Sequence, residues 1–153
     1  MKFERAKLEK IKAEVESPLF EGENWVLPTY TKSFDRADKS FVKRLEDAGW
    51  SADEIFGLRV GFKEALNNAF IHGNKMNLDK KVYVNVKVNK NRIFVKIRDE
   101  GDGFKPGEVP NPLAPENLLK PKGRGLHLLK QFFDSVTYNE KGNEVTLIKE
   151  RKK

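Results

Sequence analysis

The spacing of apolar residues changes along this chain between a helical period and a strand-like alternation, and each change marks a predicted element. Apolar residues recur at helical spacing in three stretches: Phe3 to Val15, Ser33 to about Gly49, and Ser51 to Gly73. The third stretch opens with Ser51-Ala52-Asp53-Glu54, the form of a capping box, in which each side chain satisfies an orphan backbone N–H. Gly73 suits the position just beyond a helix end. The first half of the chain is therefore predicted to be mainly helical.

Strict alternation of apolar and polar residues predicts strands elsewhere. The predicted strands form two hairpins with short turns, and a separate short apolar strand is stopped by Pro28. They are Trp25 to Leu27, Val82 to Val88, Ile93 to Ile97, Ser135 to Tyr138 and Val145 to Ile148. Because hairpins pair antiparallel strands, the predicted fold class is α+β. We expect a two-layer α/β sandwich with a mixed, largely antiparallel sheet and helices on one face.

Between the two hairpins lies a segment with neither period. Phe104 to Lys122 is rich in Pro and Gly, and a structureless stretch of this length is usually a functional lid or a disordered segment. Gly123-Arg124-Gly125 follows, just before a short predicted helix from Leu126 to Phe133. Glycines there would bring free backbone N–H groups and the helix dipole to a phosphate. Gly125 would also mark the hinge of the lid.

Composition favours a compact intracellular protein. Its 153 residues fit one domain, and the absence of cysteine excludes disulfides and thiolate metal sites. With only two histidines, a zinc centre is disfavoured. The N-terminus has no apolar signal core and no stretch is long enough to span a membrane, which predicts a cytoplasmic protein. The formal charge of +7 comes from dispersed lysines, so a solvated surface is favoured over direct nucleic-acid binding.

The third predicted helix carries a carboxylate and a carboxamide one turn apart. Glu64 and Asn68 are four residues apart and therefore share one helix face. A Mg²⁺ ion that holds phosphates keeps several waters, so the carbonyl oxygen of Asn68 can suffice as its protein ligand. Glu64 can accept a proton from a hydroxyl that attacks a phosphoryl group. The alternative interpretation is that this face, with Gly61 and His72 nearby, simply meets water.

A second candidate follows the first hairpin, in Asp99-Glu100-Gly101-Asp102-Gly103. The Asp99 carboxylate can accept a hydrogen bond from an exocyclic amine such as adenine N6. Gly101 and Gly103 remove side chains where a base must approach the backbone. Taken alone, the motif is also typical of turns. Arg124 has two interpretations as well, a contact of the γ-phosphate or an ordinary surface arginine.

The order of these motifs resembles one ATPase superfamily. Glu64-Ala65-x-x-Asn68-Ala69-x-x-His72-Gly73 resembles the N-box of the superfamily that includes gyrase, the histidine kinases and MutL, in the version of bacterial anti-sigma-factor serine kinases. Asp99 to Phe104 resembles the first glycine box, and Gly123 to Leu129 the second, at the end of the ATP lid. Gly142 to Leu147 is similar to the end of the domain. The resemblance covers roughly Trp25 to Lys149.

The resemblance implies a Bergerat-type fold that binds ATP with Mg²⁺. By motif position, Glu64 would be the catalytic base, Asn68 the Mg²⁺ ligand and Asp99 the adenine-binding residue. The other implied nucleotide-binding residues are His72, Gly101, Gly103, Gly123, Arg124, Gly125 and Leu126. Residues 25–153 would form the ATP-binding domain, and residues 1–24 an N-terminal helical extension for partner docking or dimerisation.

Two functions remain open from the sequence, beside a third interpretation as a structural adaptor that binds no nucleotide. The first is an ATP-dependent serine/threonine protein kinase that phosphorylates a serine on a small anti-sigma antagonist protein. The resemblance also implies a sigma factor as a second partner and a homodimer. From the sequence itself, neither a membrane nor direct nucleic-acid contact is expected. The alternative is a nucleotide-dependent module that binds a partner with little or no kinase activity. Glu64 favours the kinase, because a pure binding module needs no base at that position.

Overall fold

The computed structural model of this chain describes residues 2–15, 22–102 and 121–151. The helices are α1 (Lys2–Val15), α2 (Thr31–Asp47), α3 (Ala52–Asn67) and α4 (Pro121–Phe132). The strands are β1 (Asn24–Pro28), β2 (Lys81–Val88), β3 (Arg92–Arg98), β4 (Ser135–Tyr138) and β5 (Glu144–Glu150). A π-helical turn, Asn68–Gly73, continues α3 without a break.

The strands form one sheet in the order β1-β2-β3-β5-β4, and each of the four pairings is antiparallel. Val84 lies opposite Trp25 on one side and Ile97 on the other, and Ile97 in turn lies opposite Val145. Directly opposed residues point to the same face of a sheet, and these four side chains are all buried. They therefore form a continuous apolar surface across four strands.

Helices α2, α3 and α4 share the core with that surface. Phe41 of α2 and Phe62 of α3 are fully buried, with ring centroids 4.1 Å apart. Leu66 and Leu129 are fully buried beside them, whereas Tyr83 alternates to the opposite face of β2 and remains partly exposed. The predicted α+β sandwich is confirmed, and among the described strands the sheet is antiparallel rather than mixed.

The start of α3 is as predicted, but its end is not. Ser51 Oγ accepts from the Glu54 N–H at 3.1 Å and Glu54 Oε1 accepts from the Ser51 N–H at 3.0 Å, which completes the capping box. The prediction that Gly73 lies just beyond the helix end is wrong, because Gly73 is the last residue of the π turn. The left-handed residues that follow are Lys75 and Met76, with φ of 53° and 55°. Gly73 is therefore not required by the conformation of a helix end.

Helix α4 begins earlier than the glycine pattern predicts. It starts at Pro121, so Gly123 and Gly125 lie within its first turns rather than in front of it. Proline is favoured at a helix start because it lacks an N–H that would be unpaired there. Apart from residues 121 and 122, the predicted lid lies outside the described residues, and so does Gly103.

Helix α1 confirms the first predicted helix and packs against β1 and α2. Ile11 is its buried anchor. Lys81 Nζ lies 2.7 Å from Glu14 Oε2, and Lys7 forms a second ion pair with Asp79. These pairs tie α1 to the first residue of β2 and to the segment just before that strand. The assignment of residues 1–24 as a docking or dimerisation extension stays a prediction.

In the part of the chain that the structure describes, no helix has the length and apolar character needed to cross a membrane.

Candidate functional site

Two glycines on α3 let the end of α4 pack closely against it. A Cβ atom built on Gly57 would lie 2.6 Å from Cδ1 of Phe132, and one on Gly61 would lie 2.6 Å from Cε2 of Phe133. Both distances are too short for a real side chain, so the aromatic rings occupy this space. Gly57, Gly61 and Glu64 follow one another at helical spacing and lie on one stripe of α3. The carboxylate therefore belongs to the face of α3 that meets α4.

Glu64 is partly buried on this stripe and acts electrostatically on Tyr138, the last residue of β4. Burial and, to a smaller extent, the negative charge of Glu64 raise the pKa of Tyr138 to about 12. The phenol is therefore neutral at physiological pH. Gly61 on this face is buried against the end of α4, whereas Glu64, Asn68 and His72 are partly exposed to water.

One turn after Glu64, Asn68 presents a buried side-chain oxygen. Its Oδ1 has no hydrogen-bond partner among the described residues. Leaving a buried acceptor unpaired costs about 1–3 kcal/mol, so such an atom suggests a ligand that completes it.

A Mg²⁺ ion fits this donor. Hard cations prefer oxygen ligands, and Mg²⁺ retains several waters when it also binds phosphate oxygens. Within residues 2–15, 22–102 and 121–151 there is no cluster of three or more His, Cys, Asp or Glu residues able to hold a metal ion. The fit of Mg²⁺ at Asn68 does not require such a cluster, because one protein oxygen can suffice.

Asp99 is a buried carboxylate, and the backbone around it is held on both sides. Its Oδ1 accepts from the Gly101 N–H at 2.8 Å. The Asp99 N–H donates to the Asn143 carbonyl, and Asn143 Nδ2 donates back to the Asp99 carbonyl, each at 2.9 Å. Asn143 is itself fixed, since Asn139 Oδ1 accepts from the backbone N–H groups of Gly142 and Asn143. A carboxylate on such a support is suited to reading a single donor such as an exocyclic amine.

Gly73 and Gly101 are required where the π turn meets the Asp99 loop. A Cβ atom on Gly73 would overlap the carboxyl group of Asp99, and one on Gly101 would overlap the backbone carbonyl of Gly73. Any side chain at either position would push the loop away from the π turn. For Gly101 this is an internal reason that the sequence did not show. The predicted reason, close approach of a base, stays a prediction.

Three further polar residues contribute to this region and were not predicted. Asn74 is fully buried directly after Gly73 and holds the loop after β3. Asn143 lies in the segment that resembles the end of the domain, but that resemblance assigned it no role. Tyr138 ends a short strand and looks like an ordinary half-buried residue. Adjacency to recognised motifs was the only sequence signal for the two asparagines.

The other predicted site residues are placed as follows. His72 is partly buried on the π turn, next to Gly73. Gly123, Arg124, Gly125 and Leu126 lie in the first turns of α4. The first backbone N–H groups of any α-helix lack intrahelical acceptors, so this part of α4 offers donors suited to an anion. The roles of these five residues stay predictions.

A family model described as a histidine kinase-like ATPase domain matches residues 28–149 of this chain. The chain therefore belongs to the histidine kinase-like ATPase family. The matched range agrees with the extent of the resemblance found from the motifs, roughly Trp25 to Lys149.

Curated relatives narrow this class. The chain is 34% identical over 117 residues to the anti-sigma F factor of Bacillus velezensis, which covers 72% of this chain and 77% of the relative. With the same coverage, it is 32% identical to the anti-sigma F factor of Bacillus subtilis. It is also 32% identical over 114 residues to the serine-protein kinase RsbW of Staphylococcus epidermidis, covering 69% of this chain and 72% of that protein. The predicted resemblance to bacterial anti-sigma-factor serine kinases is confirmed.

Proposed function

We propose that this protein is an ATP-dependent serine/threonine protein kinase of the anti-sigma-factor type. Its phosphoryl acceptor would be a serine on a small anti-sigma antagonist protein. The observation that carries the proposal is the stripe on which Glu64 is followed one turn later by the unpartnered Oδ1 of Asn68. Family membership supports it, as do relatives named as an anti-sigma F factor and a serine-protein kinase.

The proposal includes a sigma factor as a second partner, a homodimer and a cytoplasmic location. The relatives' names support the sigma factor. The homodimer is supported by the family resemblance.

When bound, Mg-ATP would supply the γ-phosphoryl group for transfer, and its Mg²⁺ ion would neutralise part of the charge on the phosphates. Asp99 would accept a hydrogen bond from the base, and Asn68 Oδ1 would be the protein ligand of the Mg²⁺ ion. Glu64 orients the hydroxyl of the acceptor serine and accepts its proton. The N–H groups in the first turn of α4 are suited to the phosphates.

The test is Glu64→Gln, which removes the proton acceptor and keeps nearly the same side-chain volume. We expect transfer of label from radiolabelled ATP to the antagonist protein to fall by at least about a hundredfold, because general-base catalysis contributes 10²–10⁴-fold. Affinity for ATP, measured by calorimetry, should stay within about twofold of the wild-type value, since Glu64 is not proposed to bind the nucleotide. Glu46→Gln, an exposed carboxylate on α2, is the control and should leave both unchanged.

A variant that phosphorylates at the wild-type rate contradicts the assignment of Glu64 as base. A wild-type protein that binds Mg-ATP but labels none of the antagonist proteins contradicts the kinase and favours the partner-binding module. A wild-type protein that binds no ATP contradicts both functions.

A further inference from the structure

Asn74 is fully buried directly after the π turn, and its side chain joins three segments of the chain. Nδ2 donates to Thr29 Oγ1 just after β1 and to the Lys81 carbonyl at the start of β2, both at 2.9 Å. Oδ1 accepts from the Glu100 N–H after β3 at 2.8 Å. The amide donates twice and accepts once, so the orientation of its side chain is fixed by bonds at both ends.

The bond to Glu100 acts on Asp99, because the two residues share one peptide plane. The carbonyl of that peptide, which belongs to Asp99, accepts from Asn143 Nδ2 at 2.9 Å. Its N–H, which belongs to Glu100, donates to Asn74 Oδ1 at 2.8 Å. A planar peptide held at both polar groups cannot rotate without breaking one of them. The backbone angle ψ of Asp99 is thereby held, and with it the direction of its Cα–Cβ bond, while the Gly101 N–H, 2.8 Å from Oδ1, holds the carboxylate itself.

We infer that Asn74 is a positioning residue that sets base specificity through Asp99. Its contribution is to keep the Asp99 carboxylate in the one direction in which it accepts from the amino group of adenine and faces O6 of guanine. The inference rests on the proposed function, because it requires that Asp99 read the base of a bound nucleotide. Asn74 itself would contact no part of the nucleotide.

The experiment compares Asn74→Ala with Thr29→Val. Asn74→Ala removes the bond to Glu100 and both donations. Thr29→Val removes a buried hydroxyl that accepts from Asn74 and donates to the Lys80 carbonyl at 2.5 Å, but it leaves the Asn74–Glu100 bond in place. Both variants lose buried hydrogen bonds and should be destabilised. Only the first releases the Asp99–Glu100 peptide, so Thr29→Val is the matched control.

We expect Asn74→Ala to bind ATP about tenfold more weakly than wild type and GTP with little change, so that the ATP-to-GTP preference falls. Thr29→Val should keep both affinities within about twofold of the wild-type values, although urea denaturation should show that this variant is destabilised. Hydrogen exchange in the nucleotide-free protein gives a second readout. The Glu100 amide should be protected in wild type and in Thr29→Val, and should exchange freely in Asn74→Ala. Asn74→Ser, whose hydroxyl is too short to replace the bond, serves in the same way if Asn74→Ala does not fold.

An unchanged ATP-to-GTP preference in a folded Asn74 variant overturns the inference, and so does an equal loss of preference in Thr29→Val. A Glu100 amide that exchanges freely in the wild type also overturns it. If the wild-type protein binds no ATP, the proposed function fails and this inference fails with it. A variant that binds ATP with wild-type preference refutes the role of Asn74 alone.

Discussion

The two ends of the candidate site differ in how their polar groups are paired. At the base end, Asp99 accepts from the Gly101 N–H, and Asn74 and Asn143 hold the peptide that follows it. At the phosphate end, Asn68 Oδ1 is buried and has no partner within the described residues. The peptide that follows Asp99 is bonded within the chain at both its polar groups, whereas Asn68 keeps a buried acceptor that a ligand could complete.

This difference suggests separate tasks for the two ends: discrimination between bases at Asp99 and binding of a cation at Asn68. A carboxylate that is already held in place loses little conformational entropy when a base binds, so its discrimination between bases is retained in full. An unpaired oxygen such as Asn68 Oδ1 gives up no internal hydrogen bond when a cation arrives. Under the proposed function, Asp99 would read the base from a rigid support, and Asn68 would gain a bond when the nucleotide and its metal bind.

The largest expected effect comes from filling the contact between the π turn and the Asp99 loop. In Gly73→Ala the new Cβ overlaps the Asp99 carboxyl group, so we expect a loss of about 3 kcal/mol in the free energy of unfolding. ATP affinity should fall on the order of a hundredfold, because the displaced carboxylate no longer meets the base. Urea denaturation and calorimetry measure the two effects.

Gly22→Ala is the control for this variant, since a Cβ there meets no atom within 4 Å. If Gly73→Ala bound ATP as well as the control, the base end would not be rigid and the contrast between the two ends would not hold.

Asp99→Asn tests the reading of the base without disturbing its support. An asparagine can keep one oxygen for the Gly101 N–H, so the variant should fold. Its amino group would meet the adenine amino group, which should cost about 2–4 kcal/mol of ATP affinity, or tens- to hundreds-fold. Affinities for ATP and GTP, measured on the same folded sample, should show a narrowed preference for ATP. Equal weakening of both nucleotides would contradict the adenine assignment.

The smallest expected effect concerns Tyr138, on which Glu64 acts, and appears only in alkali. The pKa of Tyr138 is raised from 10.0 to about 12, so the unfolded chain loses this proton first as pH rises. Stability linked to Tyr138 is therefore fully present below pH 10 and is lost between about pH 10 and 12. The loss should reach about 1 kcal/mol near pH 11, and Tyr138→Phe should remove it. Urea denaturation at about pH 8 and 11 measures the difference, with Tyr30→Phe as control.

Glu64→Gln tests whether the charge of Glu64 contributes to the raised pKa of Tyr138. Removing the negative charge should lower the pKa of Tyr138, which a spectroscopic titration of the phenol would detect. A titration that is unaffected by Glu64→Gln would show that burial alone shifts Tyr138, and that Glu64 does not act on it.

The elements that the sequence predicted correctly depend on neighbours along the chain. The alternation in β2 and the capping box at Ser51 are local patterns, and both are confirmed. The contact between Gly73 and Asp99 joins residues that are distant in sequence, so Gly73 was taken for a helix end. Asn74 was missed for the same reason, since its three partners come from three other segments. Pro121 was read as part of a loop because proline and glycine usually interrupt helices, although proline is tolerated in a first turn.

The π turn between Asn68 and Gly73 also determines the direction in which Gly73 and Asn74 point relative to Glu64 and Asn68. The Asn74 N–H donates a hydrogen bond to the Ala69 carbonyl, five residues earlier, at 2.8 Å. An α-helical bond spans four residues, so this turn contains one residue more. Each residue of an α-helix advances the chain by about 100°. Without the extra residue, Gly73 and Asn74 would point about 100° away from Asp99, while Glu64 and Asn68 kept their places. The length of this segment therefore sets the angle between the two motifs. A chain that lost one residue here would keep both motifs in its sequence but would present Gly73 and Asn74 in another direction.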